Sequence, residues 1–304
     1  MPLQTTGTIC LADIAKQFPK TGVTVANLSD FYAGGGRVPA NTKGTNGAIP
    51  TAGKICLTDF YGAPLGFSIS IAIIGGGGGG GNMSTGHVAG AGGAGGVLYG
   101  TLNLTAGTYH YTTGAPGQRG DPTGTNGQDS TFSGPGITGT LTAFGGGGGG
   151  SDVRGGTQYD GLAGGSGGGA GGELSHAKKP GAATQTSQGG LTGYGNVGGT
   201  PLGNGSAVVN RAAGGGAGGP AVHNVNGSGM NVVIAGKTYN VAAGGEVPGY
   251  GAVSTDHHGD GGRAEAAGQH GAILIGSSTG KTPYVVTNPA GTIVIDAAGN
   301  IKVT

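Results

Sequence analysis

Residues 75–81 are seven consecutive glycines, entered from the strand-like GFSISIAII (66–74) and answered by GAGGAGG (90–96) and VLYGTLNL (97–104). A stretch without side chains has nothing to bury, so no hydrophobic core can hold it in place. Ordering its backbone costs about 1–2 kcal/mol per residue, with glycine the most expensive. A hydrogen bond returns only about 1 kcal/mol net. Such a run is a flexible linker, a phosphate-binding loop, or part of a larger hydrogen-bonded array.

The linker reading fits poorly. Gly/Ser linkers join domains, whereas these glycine runs alternate with strand-like pieces over more than 200 residues. The phosphate-loop reading is weaker. Matches to G-x-G-x-x-G arise by chance in a chain with 79 glycines. The nearest Walker-like string, GSSTGKT (276–282), is one residue short and leads into the strand-like PYVV rather than a helix. The third reading is packed polyglycine II, an extended threefold helix that rises about 3.1 Å per residue and makes no internal hydrogen bonds. Its N–H and C=O groups point outward, and only glycine lets neighbouring backbones approach closely enough to satisfy them. At that rise seven glycines span roughly 22 Å. One such helix alone would be unstable; several, flanked by a small β core, can stabilise one another.

Glycine and proline together make up roughly 31 per cent of the 304 residues, a level usually associated with low complexity. Only 9 per cent are charged, too few to keep a disordered chain solvated. With no Trp and 16 Tyr plus Phe, a large conventional core is not expected. A net charge of +1 without a basic tract gives no nucleic-acid footprint. No apolar run approaches the ~20 residues of a membrane span, and no basic-then-apolar leader opens the chain. The expectation is a soluble protein made in a cytoplasm, with no cofactor.

The organisation has three parts. Residues 1–64 carry a short repeat, LADI (11–14), LSDF (28–31) and LTDF (57–60), extended in TGTICLADIAKQF and AGKICLTDFYGAP. Its spacing predicts brief strands over 8–11 and 54–57, each turning into one helical turn whose free N–H groups are capped by the polar residues. A module this small leans on neighbours. Residues 65–277 form the glycine-rich body, in which GTYHYTTG, DSTFSG, ITGTLTAF, NVVIAGKTYNV and GAILIG add further strands, several with period-2 alternation. Ala91, Ala94, Ser166, Ala170 and Ala217, within the glycine runs, are expected to face outward or to lie in an outer layer. Residues 278–304 predict a β segment, with TIVIDAAGNIKVT as a hairpin around Gly-Asn. The fold class is mostly β and irregular: a polyglycine II body with flanking strands, a small strand/short-helix module before it and a β-hairpin segment after it.

The order strand, poly-Gly, AGGAGGVLYGTLNL, TAGTYHYTTGAPG, GQDSTF, TLTAFGGGGGG and finally AAGQHGAILIG, across about 66–276, resembles the glycine-rich domain of tailed-bacteriophage tail-fibre and virion proteins. ICLADI, LSDFYAGG and IPTAGKICLTDFYGA resemble a short module, commonly I-S-L-S-D-[IF], that opens many phage virion proteins. The resemblance implies a structural or receptor-binding virion protein, bound to other virion proteins through its N-terminal module, with a trimer expected from virion symmetry. Some relatives, the tip adhesins of long tail fibres, stack polyglycine II helices and display loops at one end to grip a host receptor. The present chain departs from them in its N-terminal module and in the β segment after residue 277. A non-adhesive capsid or tail decoration protein is the alternative.

Cys10 and Cys56 stand at matching repeat positions where that family usually has Ser. They are a candidate disulfide within one chain or between copies; the bland reading is two small buried thiols. Loops between glycine runs are the expected binding surface. Tyr159, Tyr194, Tyr250 and His257 within them are candidate receptor contacts, since exposed Tyr supplies contact area at low entropy cost; equally, each Tyr simply covers a glycine layer. Asp256, His257, His258 and Asp260 offer four metal-ligand types in five residues without a partner cluster elsewhere, so a solvated loop is the default. Arg119-Gly120-Asp121 spells an adhesion tripeptide that a glycine-rich chain produces cheaply. No acid/base pair or nucleophile constellation stands out among 13 carboxylates, so no enzyme activity is expected. An ice-binding polyglycine II protein would need a flat face of small residues, which the irregular polar loops do not supply.

Overall fold

The structure, a computed structural model, describes the chain apart from residues 1–2, 19–27, 34–36, 39–41, 64–65, 83–88, 121, 154–156, 173–178, 202–210, 247–254, 278–282 and 297–298. It is mostly β and irregular, as the sequence predicts.

In the N-terminal module the repeats converge on one small core. Helix α1 (Leu11–Gln17) and two 3-10 turns (Leu28–Phe31, Leu57–Phe60) carry the three motifs. The residue three after each Leu (Ile14, Phe31, Phe60) is buried, and Phe18 and Phe31 lie edge-on to Phe60 at 6.3 and 6.4 Å. The motif Asp supplies a cap: Asp13 accepts the Cys10 N–H at 3.1 Å and Asp59 accepts the Cys56 N–H at 2.7 Å. The strands expected over 8–11 and 54–57 do not form. Cys10 and Cys56 are extended, but as helix N-caps without a ladder partner. A short pair instead lies between the second and third repeats, β1 (Lys43–Gly44) against β2 (Gly47–Ala48). The first repeat makes a full seven-residue helix because LADIAKQ contains no breaker, whereas Gly62, at φ +66°, ends the third.

The body begins with β3 (Gly66–Ile74) and β4 (Val97–Thr105), which flank the first two glycine runs. Next come β5 (Gly107–Thr112), β6 (Ser130–Ser133), β7 (Leu141–Ala143), β8 (Asp152–Val153), β9 (Thr157–Gln158) and β10 (Thr192–Tyr194). They are followed by β11 (Met230–Ile234), β12 (Lys237–Val241), β13 (Ala272–Ser277), β14 (Tyr284–Val286), β15 (Ala290–Ile295) and β16 (Ile301–Val303). Strand β7 is shorter than ITGTLTAF suggests, because Gly136 and Gly139 turn the chain at φ +79° and +75°.

Two five-stranded antiparallel sheets, in order β10-β4-β3-β13-β14 and β16-β15-β5-β6-β7, face each other as a sandwich. Alternation along β3 and β13 sends Ile69, Ile71, Ile73, Ile273 and Ile275 into its core, against Tyr109, Phe132 and Ile293. Tyr109 and Phe132 stack at 5.5 Å. Tyr109 donates its hydroxyl to Thr105 O at 2.8 Å, and burial pushes its pKa up to about 12. The opposite alternation sends Ala72, Ile74, Ala272 and Leu274 under the β11–β12 hairpin, onto Val232, Ile234 and Tyr239. The hairpin turns at Ala235 and Gly236, both at positive φ, as a two-residue primed turn requires.

The C-terminal residues do not form a separate segment. β14 extends the first sheet, and β15 pairs with β5 in the second, so Val286, Ile293 and Ile301 belong to the sandwich core. The hairpin β15–β16 forms as its sequence predicts, with Gly299 at φ +76°.

The glycine runs continue the strands beyond the sandwich. Ile74 pairs with Val97, and one residue further on Gly75 donates to Gly96 O at 3.0 Å. From there the donors cycle with period three. Gly75, Gly78 and Gly81 bond residues 96, 93 and 90; Gly76 and Gly79 bond 128 and 125; Gly77 and Gly80 bond 269 and 266. The carbonyls do the same, Gly76 and Gly79 accepting from 146 and 149, Gly77 and Gly80 from 117 and 120, Gly78 and Gly81 from 262 and 265. The run 75–81 therefore has six neighbours, three antiparallel acceptors and three parallel donors. This is the bonding of a threefold extended helix inside a hexagonal array. None of its glycines has a left-handed φ; they are required by space. A Cβ at Gly77 would lie 1.8 Å from Asp260 O, and one at Gly80 1.9 Å from Arg263 O.

Ala91, Ala94, Ser166, Ala170 and Ala217 are all buried rather than outward-facing. Ala94 and Ala217 join the core beneath the hairpin, and Ser166 Oγ accepts the Asn196 N–H at 3.3 Å.

Candidate functional site at the far end of the bundle

The bonding registers give each run a direction. Runs 75–81, 114–120, 145–150 and 259–265 are mutually parallel and lead away from the sandwich, while 90–96, 124–128 and 266–271 return. At the far end one level of bonds ties the bundle together. Gly81 donates to Gly90, Gly90 to Gly150, Gly150 to Gly169, and Glu265 to Gly81, at 2.7–3.0 Å. The residues flanking the connections 82–89, 121–123 and 151–158 lie at this level, with the turn at 264–266, on a hydrogen-bonded backbone array. The chain enters the sandwich at Gly66, the opposite end of β3.

Of the sequence-predicted contacts, the described ones, Tyr159, Tyr194 and His257, are not brought together. Tyr159 is at the far end, half-buried, its N–H donating to Ser151 O and its carbonyl accepting from Gly171. Tyr194 lies in β10, the edge strand of the first sheet, and packs, like Tyr99 and Met230, against the hairpin core, so it covers a layer. His257 is exposed on the flank, at φ +54°. Tyr250 lies outside the described residues, as does Asp121 of the Arg-Gly-Asp string.

Asp256 to Asp260 are engaged within the fold. Asp256 Oδ2 accepts the Asn240 N–H at 2.8 Å and Asp260 Oδ1 the Ala243 N–H at 2.9 Å. His258 is half-buried, and burial holds its pKa below the usual 6.5 against the opposing pull of Asp256 and Asp260. Among the described residues no three His, Cys, Asp or Glu side chains are placed to share a metal ion. No described helix is long and apolar enough to cross a membrane.

The two cysteines are free thiols, and the chain forms no bond between them. Neither is buried: Cys10 is exposed and Cys56 half-exposed. Cys10 Sγ sits 3.0 Å from Asp13 Oδ2, and this thiol, together with the Cys10 N–H, holds the Asp13 carboxyl below the usual carboxylate range.

Sequence reasoning missed a cleft of about 290 Å³ on the flank of the bundle, walled by Glu246, His257, Asp260, Arg263 and Gln269 over Gly261, Gly262, Ala266 and Ala267. Arg263 pairs with Glu246, and His257 Nδ1 lies 3.3 Å from Asp260 Oδ2. One signal was present. Residues 246–265 carry five of the chain's 27 charged residues, in a sequence otherwise poor in charge.

No protein-family model matches the chain, and no curated protein sequence matches it.

Proposed function

We propose that this chain is a tailed-phage virion protein whose far-end connections contact the host surface, with residues 1–64 attaching it to other virion proteins. The observation that carries this reading is directional. Outgoing runs end at one level, opposite the point where the N-terminal module joins, so the connections between runs leave from a hydrogen-bonded backbone scaffold. The resemblance to phage fibre proteins supplies the biological setting, including a homo-oligomer, a trimer by virion symmetry.

The alternative, a decoration protein joined between copies through Cys10 and Cys56, draws on the exposure of those thiols. Immunogold labelling of intact virions with antibody raised against residues 65–304 separates the two. Gold at fibre tips supports adhesion, and gold over the capsid or tail body supports decoration. An accessible epitope with no labelling above a control antibody removes the virion assignment.

A further inference from the structure

We propose that the flank cleft binds a single neutral sugar unit of a surface glycan. Its volume, about 290 Å³, is at the small end of ligand pockets, which run from about 300 Å³ upward. That suits one hexose rather than a peptide. The walls present two donor–acceptor pairs. Arg263 and His257 stand at the rim, 58% and 57% exposed, and their partners Glu246 and Asp260 lie at the base, 11% and 7% exposed. A guanidinium carries five N–H donors, and a carboxylate oxygen accepts more than one bond. The Arg263–Glu246 pair can therefore meet two adjacent hydroxyls, one as donor and one as acceptor. Ala266 and Ala267 give the apolar C–H face of a sugar ring a surface to lie on.

Charge decides between neutral and anionic ligands. Two carboxylates, Glu246 and Asp260, line the base of the cleft against one guanidinium at its rim, so it disfavours phosphates and acidic sugars. The inference rests on the adhesion reading only for the origin of the sugar. A titration of the purified full chain reads the cleft alone, and virion labelling reads the location alone, so either can fail without the other.

The experiment is a ¹H–¹⁵N titration with the methyl glycosides of glucose, galactose and mannose, and with glucuronate and inorganic phosphate. The expected result is saturable shifts at residues 257–269 for at least one neutral glycoside, with a Kd of about a millimolar. Glucuronate and phosphate should give none. Arg263→Ala, an exposed change, and Gln269→Ala should each weaken binding by about tenfold or more while the remaining spectrum stays folded. Binding only of the anions, unchanged affinity in both variants, or no saturable shift with any neutral glycoside overturns the proposal.

Discussion

Gly78 donates to Gly93, accepts from Gly262, and would place a Cβ 2.2 Å from Gly147 O. Each of its neighbours is itself bonded backbone, so none can retreat alone. Gly78→Ala should therefore lower stability by more than about 3 kcal/mol, read as a fall in the urea midpoint. Ala115→Ser, exposed on an outer run, should change it by less than about 0.5 kcal/mol. His258 supplies a pH dependence of known sign. Its pKa is depressed in the fold, so above its ordinary 6.5 both states are neutral and the native state keeps its full stability. As pH falls below 6.5 the unfolded chain binds the proton first, and stability is lost towards the lower, folded pKa. Thermal scans between pH 7.5 and 5.5 should show a falling Tm whose slope flattens in His258→Gln; an unchanged slope would contradict that assignment. The seven-glycine run was legible at this scale because no other residue type fits there. The cleft was not, since Glu246 and Arg263 are 17 positions apart and meet only through the packing of two runs.

Among the elements, the inner and outer runs differ in how much glycine they need. The run 75–81, with six neighbours, is all glycine. Outer runs need it only on the inward side, giving Gly114-x-x-Gly117-x-x-Gly120 and Gly124-x-x-Gly127, with Ala115, Gln118, Thr125 and Gln128 exposed. That period of three was readable in the sequence and marks the edge of the array. Where a neighbouring run is missing, side-chain amides and carboxylates stand in for peptide groups. Asn126 Oδ1 accepts the Gly148 N–H at 2.9 Å while its Nδ2 donates to Ala163 O, and Asp129 Oδ1 accepts the Gly145 N–H. At the edge of the second sheet Gln188 exchanges two bonds with Thr142 of β7, which blunts an open strand. Asn126→Ala should cost about 1 kcal/mol and speed exchange at the Gly148 amide while Gly149, bonded to Gly79, keeps its protection. Equal loss at both amides would mean that Asn126 holds the whole run. Such substitutions depend on residues brought together from distant positions, which is why no spacing rule announced them.

At the scale of the molecule the sandwich and the bundle are one structure, because the same chain segments pass through both. The sequence breaks at residue 278 in composition, and composition alone suggested a boundary there. The pairing of β15 with β5 removes it. A chain ending at residue 277 would lose β14, β15 and β16, exposing Tyr109, Ile273 and Ile275 along open edges. It should show no cooperative thermal transition and should aggregate; a sharp transition near that of the full chain would restore the separate segment. The most direct test of the molecule as a whole is amide hydrogen exchange at 75–81, followed by NMR and compared with β3. If the glycines sit in a six-neighbour array, their amides are protected to within about tenfold of those of β3, since both open only with the sandwich. Exchange at 75–81 within about tenfold of an unstructured peptide would show that the runs are not held, and that the connections they carry have no scaffold.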